Sequence, residues 1–594
     1  MLRTMKAGLH PLLTALVIAG GAGSIETLEA QQASAENLEI MFGVRIPMRD
    51  GVLLNATVYF PPGPRTPRPV IFAMTPYMTD GYHPHVLPAA RRGYVMAVVD
   101  TRGRGGSGGV FEPFAVDAND GYDAIAWLAK QPWSDGRIGM MGGSYGGFNQ
   151  WSIAKEFPPN LVTIAPTASA YLGVDVPHLG GMSRPYWAQW ITFVSGGVTH
   201  PNLFGDQAFW QSRFRAHYLS HAPFAALDSV AGNPSPAFQR WIDHPTLDQY
   251  WASMAPSPEQ LARLEIPIFT RTGIYDGNQI GALEHYRRHM RYGSPTARTK
   301  HVLMIGPWDH AGTRTPQASI GGLTFDSSSV FSMGDLEADW YDWTIKGGPR
   351  PARLPKRVAY YVTGAEEWKH ADSLEEIGAN PTPFYLTSSG NAAGSVAQAG
   401  TLSRRQPAPS APDRWRYDPL DTAPGQAEKA APNLTDPRYA NELGGRGAIY
   451  HTPVFDSATE ISGFAKLTLW LTASVRDTDL HVVLYEITAD GRSILLTVGQ
   501  LRTRFRDGLD RERLLTPGTP ARIVIDNFRF TSRRLAPGSR VRLLVQSPNS
   551  IHFQRNYNGG GDVSRETRSD ARVAELQIHH EPGRWSLLEL PIAR

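Results

Sequence analysis

Arg137-Ile-Gly-Met-Met-Gly-Gly-Ser144-Tyr-Gly-Gly147 is an apolar run that breaks into glycines on both sides of one serine, and the stretch behind it, Phe148 to Lys155, suits a helix. Strand, tight turn, helix is the setting in which G-x-S-x-G holds a serine hydroxyl at the tip of a sharp bend. Glycine flanks it there because a Cβ would strike the neighbouring strand and helix. The five-residue pattern alone is weak, since glycine turns containing serine are common. Its place directly behind a buried strand gives it weight.

The segments around this turn share its character. Pro69 to Met74 and Tyr94 to Val99 are short, apolar and β-branched, as strands buried on both faces of a parallel sheet should be. Between Asp117 and Lys130, Tyr122, Ile125, Ala126 and Leu128 recur at helical spacing. Leu38 to Phe60 predicts an edge hairpin around Arg49-Asp50-Gly51. The strand and helix alternation predicts an α/β sheet. The pattern is interrupted from 170 to 256, where Trp187, Trp190, Trp210, Trp241 and Trp251 lie in segments without strand alternation, which predicts a mostly helical insertion. It resumes at Ile266 to Thr272 and His301 to Ile305, with a helix through Leu283 to Met290 between them.

After 350 helical periodicity fades. Val358 to Thr363, Ala465 to Thr472, Leu480 to Ile487, Ala521 to Phe530 and Arg540 to Val545 predict strands of a β-sandwich or jelly roll. Residues 393–431, rich in Ala, Gly, Pro, Ser and Gln, predict a long surface connection. The expected plan is a signal peptide over 1–35, a first core part over 36–169, a helical cap over 170–256, a second core part over 257–350 and an all-β domain over 351–594.

The 594 residues call for several domains, and the net charge of +3 is spread along the chain rather than gathered into a basic stripe. Nucleic acid is therefore not an expected partner. Arg3 and Lys6, the apolar Leu12 to Ala19 and the small residues around Ala30 and Ala33-Ser34-Ala35 read as a secretory leader. The apolar run falls far short of the ~20 residues that span a bilayer. The expectation is export to the periplasm or the medium, with no membrane association after cleavage. No cysteine is available for a disulfide or a lipid anchor. Oligomeric state, including a homo-oligomer, stays open.

A serine hydroxyl needs a positioned base, and the base an orienting carboxylate. Asp276, in Gly273-Ile-Tyr-Asp-Gly277, and His310, in Gly306-Pro-Trp-Asp-His-Ala-Gly312, each lie in a glycine-bounded loop just beyond a predicted strand. Ligands of open α/β sheets collect at such strand ends, and the order Ser, Asp, His suits the turn around Ser144. Any one of the 18 histidines is ordinarily a surface or packing residue, and Asp-Gly is ordinarily a turn. The concurrence of order and placement singles these residues out. The backbone N–H of Tyr145 and the phenol of Tyr77 are candidate oxyanion donors. Spacing alone favours a packing role for Tyr77.

The sequence resembles the cocaine esterase-like (CocE/NonD) hydrolases, a group that includes X-Pro dipeptidyl-peptidases, α-amino acid ester hydrolases and glutaryl acylases. The resemblance rests on Ile46 to Gly51, Thr75-Pro-Tyr77, Val99 to Gly103 with Ser107-Gly108, and Asp120 to Asp123. It continues through Trp133 to Gly136, Gly142 to Gly147, Gly306 to His310, Tyr417-Asp-Pro419, Thr478-Asp-Leu480 and Leu535 to Gly538. It implies an α/β-hydrolase core with a helical cap and a C-terminal jelly roll of galactose-binding-like type. It also implies Ser144 as nucleophile, Asp276 as orienter, His310 as base, and Tyr77 with the Tyr145 amide as oxyanion hole. No metal or organic cofactor is implied.

The expected partner is a small-molecule ester or amide. Family members selective for α-amino acid esters hold the ammonium with carboxylates, some just after the triad aspartate; here Gly277, Asn278 and Gln279 follow Asp276. That disfavours amino acid ester and dipeptidyl-peptidase readings, although Asp175, Asp228 or Asp243 could supply the charge. The tryptophan-rich cap suggests an apolar or aromatic acyl pocket, with Trp187, Trp190 and Trp308 as candidate lining, and serves equally as cap core. A reading of another class, an inert hydrolase fold carrying a glycan-binding jelly roll, is opposed by the joint presence of Ser144, Asp276 and His310.

Overall fold

The computed structural model describes residues 38–428, 433–437, 440 and 443–593. The leader expected at 1–35 lies outside them. Among the described residues no helix is long and apolar enough to cross a membrane.

A ten-stranded sheet forms the first layer of the molecule. Its strands are β1 (Glu39–Pro47), β2 (Leu53–Phe60), β3 (Arg68–Thr75), β4 (Val95–Asp100), β5 (Ser134–Gly143), β6 (Leu161–Thr167), β7 (Ile268–Gly273), β8 (His301–Gly306), β9 (Val358–Val362) and β10 (Glu367–Ala371). They lie in the order β1-β2-β4-β3-β5-β6-β7-β8-β9-β10. The run from β4 to β9 is parallel, and antiparallel strands close both edges. Every residue of β4, β7 and β8 is buried; β4 and β8 are largely apolar for that reason, whereas β7 carries Thr270, Arg271 and Thr272 into the sheet.

Helices cover both faces of the sheet. Trp151 and Ile153, from the helix Tyr145–Ala154, pack into one core with Val70, Phe72 and Ile138. Trp340 and Tyr341, from the helix Met333–Thr344, pack into the other with Ile71, Phe269 and Met304.

The insertion folds as a short hairpin followed by helices including Tyr186–Phe193, Gln207–Ser220 and Pro236–Ile242, joined by an aromatic core of Phe114, Trp190, Trp210, Trp241 and Trp251. The C-terminal region forms a twelve-stranded β-structure around its own apolar core.

Two segments differ from expectation. Val358–Val362, expected in the C-terminal domain, pairs in parallel with β8 and completes the first sheet. A short apolar strand carries no mark of the sheet it will join. Within the expected surface connection, Gly400–Ser403 and Ser410–Tyr417 are paired strands. Period-two burial of Asp413, Trp415 and Tyr417 was masked there by the surrounding Pro, Ser and Arg.

Candidate active site

Ser144 stands between β5 and the helix Tyr145–Ala154, with φ 61° and ψ −117°. L-residues avoid that region, and a tight network holds the serine in it. Its N–H donates to the Thr167 carbonyl at 2.9 Å, and its own carbonyl accepts from the N–H groups of Gly147 and Phe148, both at 3.0 Å. Gly142, at φ 138°, passes so near the turn that a Cβ on it would lie 2.9 Å from the Gly146 oxygen, and one on Gly147 would lie 2.4 Å from that of Thr167. Gln150, fully buried, donates to the carbonyls of Gly142 at 3.1 Å and Gly146 at 2.9 Å and accepts from the Ala165 N–H at 2.8 Å. Asn149 ties the helix to β3 through the Met74 carbonyl at 2.8 Å. Neither amide was singled out in the sequence, because glutamine and asparagine one turn into a helix form no motif.

Asp276 follows the end of β7 and is fully buried. It accepts from the Thr272 hydroxyl at 2.8 Å, the Asn278 N–H at 3.0 Å and Nδ1 of His310 at 2.8 Å. Burial opposes its ionisation, but the facing imidazole of His310 and these donors outweigh it and hold the carboxyl below its ordinary range. The bond to Nδ1 fixes the ring and leaves Nε2 as the available base. His310 and Ser144 line the same cavities. Beneath them Gln279 donates to the carbonyls of Gly273 at 3.0 Å and Phe530 at 3.0 Å and accepts from the Phe530 N–H at 2.6 Å. The aspartate loop is thereby fastened to the C-terminal domain.

Tyr77 projects from just beyond β3. The Trp190 indole donates to its phenol oxygen at 3.1 Å. Burial pushes the phenol up, against opposing hydrogen bonds from Trp190 and Ser144. The Tyr145 side chain is held apart from the chemistry: it donates to Asp117 at 2.6 Å, accepts from the Phe114 N–H at 2.9 Å and stacks on the Phe114 ring at 4.4 Å. Its backbone N–H opens the helix directly after the Ser144 turn.

Two chambers, of about 690 and 620 Å³, meet at Ser144 and His310. Trp187 and Trp190 line the first. Trp308 lines neither: fully buried, it donates to the Ser329 carbonyl at 3.2 Å and packs against Phe331 and Trp368. The pocket expectation for Trp308 is thus corrected, because the loop that presents His310 outward turns the neighbouring indole under the sheet edge. Of the three cap carboxylates, only Asp175 reaches a chamber. Burial lifts its carboxyl to about 7, while it accepts from the N–H groups of Tyr171 at 2.7 Å and Gly281 at 3.1 Å and from Asn278 at 3.0 Å. Asp228 is spent inside the cap on Ser235 and Gln239, and Asp243 pairs with Arg565. The C-terminal domain supplies His481, Arg529 and Phe553 to the first chamber, a contribution that no local pattern announces. Among the described residues no group of three or more His, Cys, Asp or Glu could hold a metal ion.

The chain matches the X-Pro dipeptidyl-peptidase (S15) family over residues 50–312 and the X-Pro dipeptidyl-peptidase C-terminal non-catalytic domain over 352–589. It is 29% identical to a cocaine esterase of Rhodococcus over 589 residues, covering 94% of this chain and 99% of the relative. An α-amino acid ester hydrolase structure shares the fold with a TM-score of 0.79 at 20% identity, covering 98% of each chain. An aminopeptidase from a marine sediment archaeon, Thaumarchaeota archaeon, does so with a TM-score of 0.78 at 21% identity, covering 94% of this chain and 96% of the other.

Proposed function

From membership of the cocaine esterase-like (CocE/NonD) family of serine hydrolases, to which this chain belongs, we propose that it cleaves carboxylic esters, and amides more slowly, through an acyl-enzyme on Ser144. The observation that carries this reading is the 2.8 Å bond from His310 to a buried, ionised Asp276 at the chamber that also holds the strained Ser144.

The Ser144 oxygen attacks the ester carbonyl carbon while Nε2 of His310 takes its proton. Charge gathers on the former carbonyl oxygen, which receives hydrogen bonds from the Tyr145 N–H and the Tyr77 hydroxyl. The C–O bond then breaks, and the leaving alkoxide takes the proton back from the imidazolium. Asp276 stabilises that imidazolium without accepting its proton. Water then enters by the same route: its oxygen attacks the acyl carbon as Nε2 of His310 takes its proton, the bond from that carbon to the Ser144 oxygen breaks, and the imidazolium returns the proton to Ser144 as the acid leaves.

Aromatic walls around the first chamber support an apolar or aromatic group there. The missing acidic cluster after Asp276 argues against substrates with a free α-ammonium. Rates on p-nitrophenyl butyrate, Ala-Pro-p-nitroanilide and phenylglycine methyl ester test the assignment: the butyrate should lead by kcat/KM. A lead by Ala-Pro-p-nitroanilide would make the chain a peptidase instead, with Asp175 as the amine's partner.

A further inference from the structure

The second chamber lies between the helix His83–Arg91, the loop after His310 and the start of the helix Met333–Thr344. Its charges do not balance. Arg314, four residues beyond His310, is half-buried and lines it. The Arg314 side chain runs along the backbone beside the nucleophile: Nη1 lies 2.8 Å, and Cδ 3.1 Å, from the point a Cβ on Gly143 would occupy. Among the described residues this guanidinium has no carboxylate, hydrogen-bond or ring partner. Elsewhere in the molecule half-buried arginines such as Arg92 and Arg102 face one or more aspartates.

A second guanidinium stands on the same wall. Arg271, 2% exposed on β7, bonds through Nη2 to Thr167 at 2.5 Å and to Glu337, while its Nε and Nη1 have no partner. Glu337 is the chamber's only carboxylate among the described residues, and Arg271 already engages it. The chamber therefore carries one uncompensated positive charge. Ser332, Met333 and Gly334, at the N-terminus of a twelve-residue helix, also line it and add a positive dipole end. Enclosing an unpaired cation costs free energy that a bound carboxylate recovers, and a guanidinium receives a carboxylate through two parallel N–H···O bonds.

We propose that the second chamber is the subsite for a carboxylate carried by the substrate, with Arg314 as its ion-pair partner and the start of the helix Met333–Thr344 reinforcing the field. This rests on the hydrolase reading above and narrows its substrate to monoanionic esters. The carboxylate belongs to whichever half of the ester, acyl or alcohol, fills this chamber.

The test uses two matched pairs on the full protein. For the acyl half these are mono-p-nitrophenyl glutarate and p-nitrophenyl pentanoate; for the alcohol half, 3-acetoxybenzoate and 3-tolyl acetate. In one pair the anionic ester should lead by about 10-fold or more in kcat/KM, the size expected of hydrogen bonds to a charged group. Arg314→Gln should cut that ratio about 10-fold, while Arg314→Lys retains part of it and added salt erodes it. No anionic preference in either pair, or a preference that Arg314→Gln leaves unchanged, would overturn the inference. Should Ser144→Ala cleave the neutral esters as the parent does, the hydrolase reading fails instead. The Arg314 inference is then decided by calorimetric binding of glutarate and 3-hydroxybenzoate to the Ser144→Ala protein. Weakening of either by Arg314→Gln upholds it, and equal affinities for both overturn it.

Discussion

Trp190 donates its indole hydrogen to the phenol oxygen of Tyr77 across 3.1 Å, joining the cap to the loop beyond β3 at the chambers that Ser144 lines. An indole is a donor only, so this bond occupies a lone pair on the phenol and leaves the Tyr77 proton free for another acceptor. Tyr77→Phe should therefore lose about 10²–10³ in kcat, the cost of one oxyanion donor. Steady-state rates on p-nitrophenyl butyrate measure it, and a loss confined to KM would reduce Tyr77 to packing.

Asp276→Asn keeps the shape of the loop but removes the charge that orients and stabilises the His310 ring. A fall in kcat of about 10³–10⁴ is expected, as for other triads stripped of their carboxylate. Folding of the variant is checked by its melting transition. A fall below tenfold would mean that another group orients His310.

Gln279 carries a different kind of role. Its amide spans the aspartate loop and the Phe530 backbone, so Gln279→Ala leaves buried N–H and C=O groups unpaired, at about 1–3 kcal/mol for each group. Both the melting temperature and kcat should fall, because the C-terminal domain would no longer brace Asp276. An unchanged melting temperature would show that the domains are held together elsewhere.

Asp117 gives a pH-dependent prediction. Burial lifts its carboxyl to about 7, against the hydrogen bond from Tyr145 and in the same sense as nearby Asp120. A raised carboxyl favours the folded state fully below the ordinary aspartate range, and that stability drains away as pH rises toward about 7. Asp117→Asn has no such loss. The melting temperature of the variant minus that of the parent should therefore increase from about pH 4 to about pH 7.5. A flat or falling difference would contradict the buried, uncharged state of Asp117.

The parallel sheet was legible because its strands are buried on both faces and show it as apolar runs. The serine turn was legible because its glycines are sterically forced. Asp276 and His310 could be picked out because strand ends in such sheets converge in space. What stayed hidden depends on contacts distant in sequence. Val358–Val362 joins the first sheet only because β8 offers an open edge, and Trp308 turns inward although His310, two residues on, lines both chambers. Arg529 and His481 reach the first chamber from a loop and a strand with no motif around them, while Arg314 reaches the second from just past the His310 motif, whose pattern does not include it.

In the proposed mechanism one activated hydroxyl, that of Ser144, performs the chemistry. Treating the intact protein with a fluorophosphonate and mapping the adduct by peptide mass spectrometry tests this directly. A single adduct is expected, on the peptide containing Ser144, that is lost in Ser144→Ala and slowed severely in His310→Ala. Absence of any adduct on that peptide in a folded, ester-cleaving protein would contradict it.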